Sequence, residues 1–555
     1  MMLSGAIAQI LTSPFSKTPK YEVRAVWLTT IGGLDWPHNY ANNQMAIERQ
    51  QKELCEILDK YQRAGINTIL IQTRIRGTML YPSQYEPWDG CLSGVPGKSP
   101  GYDPLEFAIN ESHKRGMELH AWVVTIPVGK WDGRGCANLR KRFPKLIKKI
   151  GPDGYMDPEN IQTANYLAGI CEEITKNYDI DGIHLDYIRY PETWKLKVGR
   201  EQGRRHITNI VREIHQRVKS LKPWVKMSCS PIGKYDDLSR YGSHGWNAYT
   251  KGCQDAQGWL RAGLMDELFP MMYFKGDQFY PFAIDWSEQS SGKIIVPGLG
   301  IYFMSPNESN WPLSTITQEM QVLRQCGMGH AFFRGKFLTD DLKGIYSFTS
   351  EQFNQHPALI PPMTWLCATP PTPPTSLQLS ADGCQLQWDG ACDKSNGPYL
   401  LYNVYCSRGV PVDISDSRNL IATRISANGL SMMKKAENCY FAVTAVDRYG
   451  NESQPTFYPE IIESTSPTKT NYTWLKCNGE LVELPSKGSV LDADMVAIES
   501  LQGELIATRR FQGTHADVRQ LPEGTYIMKS LNRKGVTHRL GFFMIKRKNA
   551  NISAS

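Results

Sequence analysis

The chain has 555 residues, more than one hydrophobic core usually spans, so two to four domains are expected unless one is a barrel of about 250 residues or more. With 41% hydrophobic and 21% charged residues, it has the composition of an ordinary globular protein able to bury a sizeable core, which excludes extended disorder. The net charge of +7 comes from 62 basic and 55 acidic residues spread along the chain; no nucleic-acid-binding motif accompanies it, so no nucleic-acid partner is expected, and the one local basic cluster, Arg140 to Lys149, reads as a solvated helix face.

The first residues, Met1-Met-Leu-Ser-Gly-Ala-Ile-Ala-Gln9, resemble the end of a secretory signal, with Ala6 and Ala8 fitting a small-x-small cleavage site. Residues 1–20 are therefore read as a leader remnant and the protein as periplasmic or secreted. From Tyr21 to Pro361 strand and helix patterns alternate. The strand candidates are Glu22 to Leu28, Asn67 to Thr73, Met117 to Val124, Ile180 to Asp186, Val225 to Ser230, Glu267 to Tyr273, Ile294 to Ile301 and His330 to Arg334. Helices are predicted over Met45 to Ala64, Leu105 to Arg115, Thr163 to Tyr178, Gly203 to Ser220 and Thr315 to Cys326, with Gly65 and Gly116 suited to end the first two. Eight βα units predict a (β/α)8 barrel over 21–361; a doubly wound sheet would need a Gly-rich phosphate turn after its first strand, which is lacking.

The run Thr369-Pro-Pro-Thr-Pro-Pro-Thr375 predicts a stiff linker over 362–375 with few contacts across it. Period-two segments such as Cys384-Gln-Leu-Gln-Trp388 then predict a β-sandwich over 376–464. A further composition shift at Thr465 to Thr470 leads to a second all-β sandwich over 471–548. The thirteen cysteines form no CxxC pair and mostly lie in apolar segments, which predicts buried free thiols. No apolar run of about 18 residues exists, so no membrane-spanning helix is expected.

Barrel enzymes carry their reactive groups at the C-terminal ends of the strands. In Tyr178-Asp-Ile-Asp-Gly-Ile-His-Leu-Asp-Tyr-Ile-Arg-Tyr-Pro191 the alternation puts Gly182, His184 and Asp186 on one face, assigned to the barrel interior, with Asp186 at the mouth and Asp181 near the opposite end as a structural group. Arg189 is placed to hold a carboxylate ionised, as a nucleophile or base requires. A satisfied structural aspartate is the alternative at Asp186.

Several segments together resemble the glycosyl-hydrolase-10-like family, long called domain of unknown function 187. They are Glu22-Val-Arg-Ala-Val-Trp-Leu-Thr-Thr30, Asn67-Thr-Ile-Leu-Ile-Gln-Thr-Arg74 with Tyr81-Pro, Met156-Asp-Pro, Ile180 to Pro191, Gln254-Asp255 with Trp259, and Phe269-Pro-Met-Met-Tyr273. The resemblance covers Tyr21 to about Arg334 and implies a bacterial envelope glycosidase of retaining type, distantly related to the α-amylase clan, with Asp186 at the position of that clan's fourth-strand nucleophile. At least one member of the family acts on peptidoglycan strands stripped of their peptides, which implies a glucosaminyl or muramyl linkage as substrate. Many relatives carry Pro-Gln-x-Tyr on the sixth strand where this chain has Met271-Met272, which puts transfer of the substrate in doubt. Farther along, Cys439 to Ser453 resembles a strand and turn of a fibronectin type III module, and Leu521 to Lys546 looks like the sorting-type C-terminal domain of secreted Bacteroidetes proteins.

A second carboxyl group is needed for glycoside hydrolysis. Asp255 is the first choice, with a helix N-cap as its equal alternative; Glu192 and Glu308 follow. Substrate-binding candidates at or near strand ends are the aromatics Trp27, Trp36, Tyr81, Trp122, Tyr187, Tyr273 and Tyr302 and the polar groups Arg24, Gln72, Arg74, His120 and His184, any of which core packing would also explain. No HExxH, HxH or P-loop is present, so the sequence requires neither metal nor cofactor. A polysaccharide or oligosaccharide is the expected partner; the competing reading is a carbohydrate-binding or scaffold protein that has lost activity.

Overall fold

A computed structural model describes residues 18–239, 241, 245–408, 411–432, 439–459, 475–484, 493–500, 505–512, 514–532 and 537–545. Most of the leader-like segment and the composition shift at 465–470 lie outside these residues. Eight parallel strands form a barrel: β1 (Arg24–Leu28), β2 (Thr68–Arg74), β3 (Glu118–Val124), β4 (Gly182–Asp186), β5 (Lys226–Cys229), β6 (Glu267–Leu268), β7 (Ile294–Ile295 with Gly298–Gly300) and β8 (His330–Phe333). Sequential strands pair, and β8 returns to β1 through Arg24↔His330. The first half of β7 pairs with β6 and the second with β8, which closes the ring.

Period two divides every strand. Ala25, Trp27, Leu70, Trp122, Val124, Phe269, Val296 and Ala331 fill the interior, while Val26, Leu28, Ile69, Ile71, Val123, Ile183 and Leu185 pack outward against the helices. The helices start where side chains cap them: Asn43 accepts from the Ala46 amide before Gln44–Arg63, and Asp103 from Leu105 and Glu106 before Pro104–Lys114. Gly65 and Gly116 follow those two helices with φ of 70° and 72°, as predicted. Between β3 and β4 the barrel carries an unforeseen antiparallel sheet of Pro127–Lys130, Ile147–Ile150 and Asp153–Met156, with a helix over Arg134–Arg142. The Arg140 to Lys149 cluster is therefore not one helix face, because the helix stops at Arg142 and Lys148 and Lys149 lie on a strand.

After the proline-rich run, a three-stranded sheet (Thr375–Leu379, Gln385–Asp389, Gly429–Ser431) and a four-stranded sheet (Leu401–Ser407, Leu420–Ile425, Tyr440–Val446, Thr456–Tyr458) enclose Leu386, Trp388, Val404, Phe441 and Val443. The chain divides into two compact units, 1–461 and 462–555. Among the described residues the second holds a six-stranded antiparallel sheet around Val482, Val496, Ile498, Met528 and Phe543. No disulfide joins the thirteen cysteines; Cys91, Cys136, Cys171, Cys229 and Cys253 are buried, but Cys326 and Cys392 are exposed and the others half-buried, because an apolar segment at a helix end or on a thin sheet hides only one side.

The linker prediction fails. Arg424 reaches from the sandwich to the floor of the barrel, where its guanidinium pairs with Glu118 at 3.0 Å and Asp181 at 2.6 Å, and Arg448 adds a contact to Asp181 at 3.3 Å. Asp181 also accepts from the Leu119 amide at 2.9 Å and meets His113 at 2.8 Å, so it is structural, as expected. Its burial would raise its pKa, yet His113 and Arg424 hold it well below the ordinary aspartate value. Cutting the chain near Thr369 removes Arg424 and Arg448 from these carboxylates, and changing Arg424 to Ala removes the cation the two share, leaving Glu118 with Lys226 and Asp181 with His113 and Arg448. We predict that Arg424→Ala loses about 3–5 kcal/mol in denaturant unfolding, and that the barrel alone is insoluble. A loss under about 1 kcal/mol would make the contact incidental.

A further buried carboxyl group has no such partner and stays protonated. Glu319 faces inward with Ile316, Met320 and Leu323 on helix Leu313–Gln325, neither of its carboxyl oxygens has a hydrogen-bond partner among the described residues, and burial pushes its pKa up to about 9. The folded protein thus keeps a proton that the unfolded chain releases above the ordinary value of 4.5, so stability falls as pH rises from there to about 9. Glu319→Met is expected to stabilise more at pH ~8 than at pH ~5, measured by chemical denaturation; an equal gain at both would assign Glu319 an unshifted pKa.

Candidate active site

The interior of the barrel is layered by strand parity. At the floor Glu118 bonds Lys226 at 2.7 and 2.8 Å and His120 at 3.1 Å. His120 lies under Gly182, where any Cβ would meet its ring at 2.6 Å, so only glycine fits there. Above it His184 contacts Trp27 Nε1 at 3.3 Å through Nε2 and Ser228 Oγ at 2.9 Å through Nδ1. An indole nitrogen only donates, so Nε2 is the acceptor and Nδ1 carries the proton. Burial, reinforced by His120, holds the His184 pKa well below its ordinary value and keeps the ring neutral.

Asp186 sits one layer higher, at the mouth and 7% exposed. Its Oδ1 accepts from Ser230 Oγ and from the Tyr187 amide, both at 2.8 Å, and its Oδ2 from Trp122 Nε1 at 3.1 Å. Thr125, through its amide at 2.9 Å and its hydroxyl at 2.8 Å, donates to the Asp186 carbonyl and fixes the strand end. Burial raises the Asp186 pKa; the hydrogen bonds from Ser230 and Tyr187 oppose it, and Arg189 acts more weakly. Arg189 does not pair with Asp186 as expected. Its guanidinium pairs with Glu192 at 2.9 Å and lies 4.5 Å from the Tyr187 ring and 5.6 Å from that of Trp246. Tyr187 takes φ of 52°, a turn that leaves its ring 37% exposed beside the carboxylate. Across the mouth, Tyr273 stacks on Phe333 at 5.4 Å and Tyr302 stands edge-on to both, at 5.8 and 5.9 Å.

Trp122, Tyr187, Arg189, Tyr273 and Tyr302 thus gather with Asp186 at the mouth, whereas Trp27, His120 and His184 form buried layers beneath it. The other candidates lie elsewhere. Arg24 shares the outward parity of Val26 and Leu28 and pairs with Glu22 at 2.6 Å. Gln72 binds the amides of Thr30 and Ile31 at 3.1 and 2.9 Å. The β2–β3 register shifts between Gln72 and Arg74, turning Arg74 into a fully buried pair with Glu86 at 2.9 and 2.7 Å. Tyr81 bonds Glu173 at 2.7 Å and packs on Tyr178, and Trp36 bonds the Gln50 carbonyl at 3.0 Å. Asp255 takes the N-cap alternative: it accepts from Gly258 N at 3.0 Å and Tyr235 at 2.7 Å. Glu308 is exposed. Ser230 and Gln254 were missed. The inward parity of Ser228 and Ser230 pointed to the first; Gln254, which ties the Ile188 carbonyl to the Ile232 amide at 3.3 and 3.1 Å, stood in the Gln254-Asp255 segment of the resemblance but was not singled out for the site.

A parallel barrel with a buried carboxylate at its mouth, framed by half-buried aromatic rings, is the architecture of barrel enzymes that act on glycans. Residues 22–202 and 198–309 match the family described as glycosyl hydrolase-like 10, and the chain belongs to that family. It is 27% identical over 481 residues to glycosyl hydrolase YngK of Bacillus subtilis, covering 78% of this chain and 92% of that one. It is 30% identical over 287 residues to glycosyl hydrolase DigH of Escherichia coli K12, covering 45% of this chain and 65% of DigH. Among solved structures it is similar to an alpha-L-fucosidase isoenzyme 2 from Paenibacillus thiaminolyticus, at 13% identity and a TM-score of 0.41, over 60% of this chain and 49% of that one.

Because the Ser230 hydrogen bond lowers the Asp186 pKa against burial, its loss raises that pKa further. Ser230→Ala is expected to move the acidic limb of kcat/KM to higher pH. An unmoved limb, or one displaced to lower pH, would show that Asp186 does not govern it.

Proposed function

We propose that the protein is a glycoside hydrolase of the bacterial cell envelope, with Asp186 as nucleophile. One observation carries the reading: a nearly buried carboxylate at the inward end of β4, with Oδ1 taken up by two donors and Oδ2 by one. A carboxylate oxygen has two lone-pair directions, so Oδ2 keeps one free to attack an anomeric carbon at the mouth. Trp122 and Ser230 position the group, and Tyr187, Tyr273 and Tyr302 offer ring faces to pyranoses.

With Asp255 spent on a helix cap, Glu192, in the loop after β4 with Tyr187, is the candidate left for the acid–base role; its pairing with Arg189 at 2.9 Å lowers its pKa, which suits the base half of that role better than the acid half. The competing reading, a barrel that binds glycans without cutting them, is favoured by one fact: among the described residues no second carboxylate shares a hydrogen-bond donor with Asp186. Product analysis separates the two. Asp186→Asn should lower turnover by on the order of a thousandfold or more while thermal melting is unchanged. Activity within about tenfold of the parent would remove Asp186 from the mechanism.

The substrate proposed is the peptidoglycan glycan strand freed of its peptides, on the family resemblance. Soluble oligosaccharides should be released faster from amidase-treated peptidoglycan than from intact sacculi, as read by mass spectrometry. Resistance of both, with cleavage of another polysaccharide, would overturn the substrate and leave the glycosidase.

A further inference from the structure

The insertion between β3 and β4 is not needed to close the barrel, and its charge is unusual. Residues 126–160 carry eight basic and four acidic side chains, a net +4 of the chain's +7. Two of the lysines are paired, Lys130 with Asp153 at 3.0 Å and Lys148 with Asp157 at 3.2 Å. Arg134, Lys141, Lys145 and Lys149 are exposed and make no ion pair among the described residues. Arg140 and Lys149 converge on the Trp131 ring, 4.1 and 5.4 Å from its centre. Crowding like charges on one small element costs stability, since each repels its neighbours. An insertion serving only as a brace would gain by pairing them.

Its position ties it to the candidate site. Thr125, which holds the Asp186 carbonyl, immediately precedes the insertion. The exposed Arg76 packs under the first strand of the insertion, its Cβ 3.2 Å from where a Cβ on Gly129 would lie. Next to it runs an open groove of about 560 Å³ whose lining includes Ser83, Gln84, Tyr85, Asn138, Lys141 and Arg142. Hydroxyl, amide and phenol groups suit sugar hydroxyls, and two cations suit an acid.

We propose that this basic ledge binds the continuation of the glycan beyond the barrel mouth, and that the glycan is a polymer bearing carboxylates at intervals. The inference rests on the reading that a glycan occupies the mouth. Peptide-free peptidoglycan meets the requirement, since amide cleavage leaves a carboxylate on the lactyl group of each muramyl residue; a uronic-acid polymer meets it as well.

Affinity electrophoresis of the full chain through carboxymethylcellulose and hydroxyethylcellulose, which share a backbone and differ in charge, tests it without turnover. About tenfold tighter retention by the charged polymer, weakened by salt, is expected. The change K141E/R142E/K145E/K149E should abolish the preference, and K141Q/K145Q/K149Q should reduce it should the first variant fail to fold. Amidase-stripped peptidoglycan and polygalacturonate, each compared with a carboxyl-amidated form, then identify the source of the acid. Equal retention by both celluloses, a preference that survives the substitutions, or tighter binding to phosphatidylglycerol vesicles than to any acidic polymer would each overturn the proposal. Ledge-dependent retention with no product from any glycan defeats the glycosidase reading alone; product release without that retention defeats this inference alone.

Discussion

Burying an ionised carboxylate is tolerable only when cations and amides surround it, as they surround Glu118 and Asp181 at the floor of the barrel. Glu118 opens β3 and Asp181 immediately precedes β4; Lys226 comes from β5, but Arg424 and Arg448 come from the sandwich. The pairing reaches across more than two hundred residues of sequence to fix the bottom of the third and fourth strands. The same two strands carry Trp122 and Asp186 towards the mouth, held in register as Trp122↔His184 and Val124↔Asp186. The sandwich therefore belongs to the scaffold of the candidate site even though it stands at the other end of the barrel.

Between floor and mouth the interior is kept neutral. His184, hydrogen-bonded on both nitrogens and buried, separates the charged floor from Asp186 with an uncharged layer of Trp27, Ser228 and Phe269. A charged imidazole there would pull the Asp186 pKa down; its neutrality leaves that pKa to burial and to the donors Ser230, Tyr187 and Trp122. Arg189, itself buried, adds a weaker lowering from a distance while it pairs with Glu192 and lies over the rings of Tyr187 and Trp246.

The barrel was legible because its two periods are long-lived in sequence: buried strands of five to seven residues such as β1 to β3, and amphipathic helices ended by Gly65 and Gly116. The insertion after β3 was not, since its strands of four residues alternate with basic side chains and mimic a polar helix. At the site, parity placed Asp186 and His184 correctly. Strand position at Arg24 and Arg74 and nearness to a strand end at Tyr81 did not separate a binding group from a packed one, because the partners Glu22, Glu86 and Glu173 could not be assigned from spacing; at Arg189 the nearest acid was its own neighbour Glu192. Asp255 shows how a capping aspartate and a catalytic one look alike until the amide it serves is known.

The central claim is that Asp186 attacks the sugar. A fluorinated glycoside of the sugar that supports turnover, which slows breakdown of a covalent glycosyl-enzyme, tests it directly when the labelled protein is digested and sequenced by mass spectrometry. The account predicts stoichiometric label on the peptide carrying Asp186, with loss of label in Asp186→Asn. Label on another carboxylate, or turnover with inverted anomeric configuration and no label at all, would contradict it.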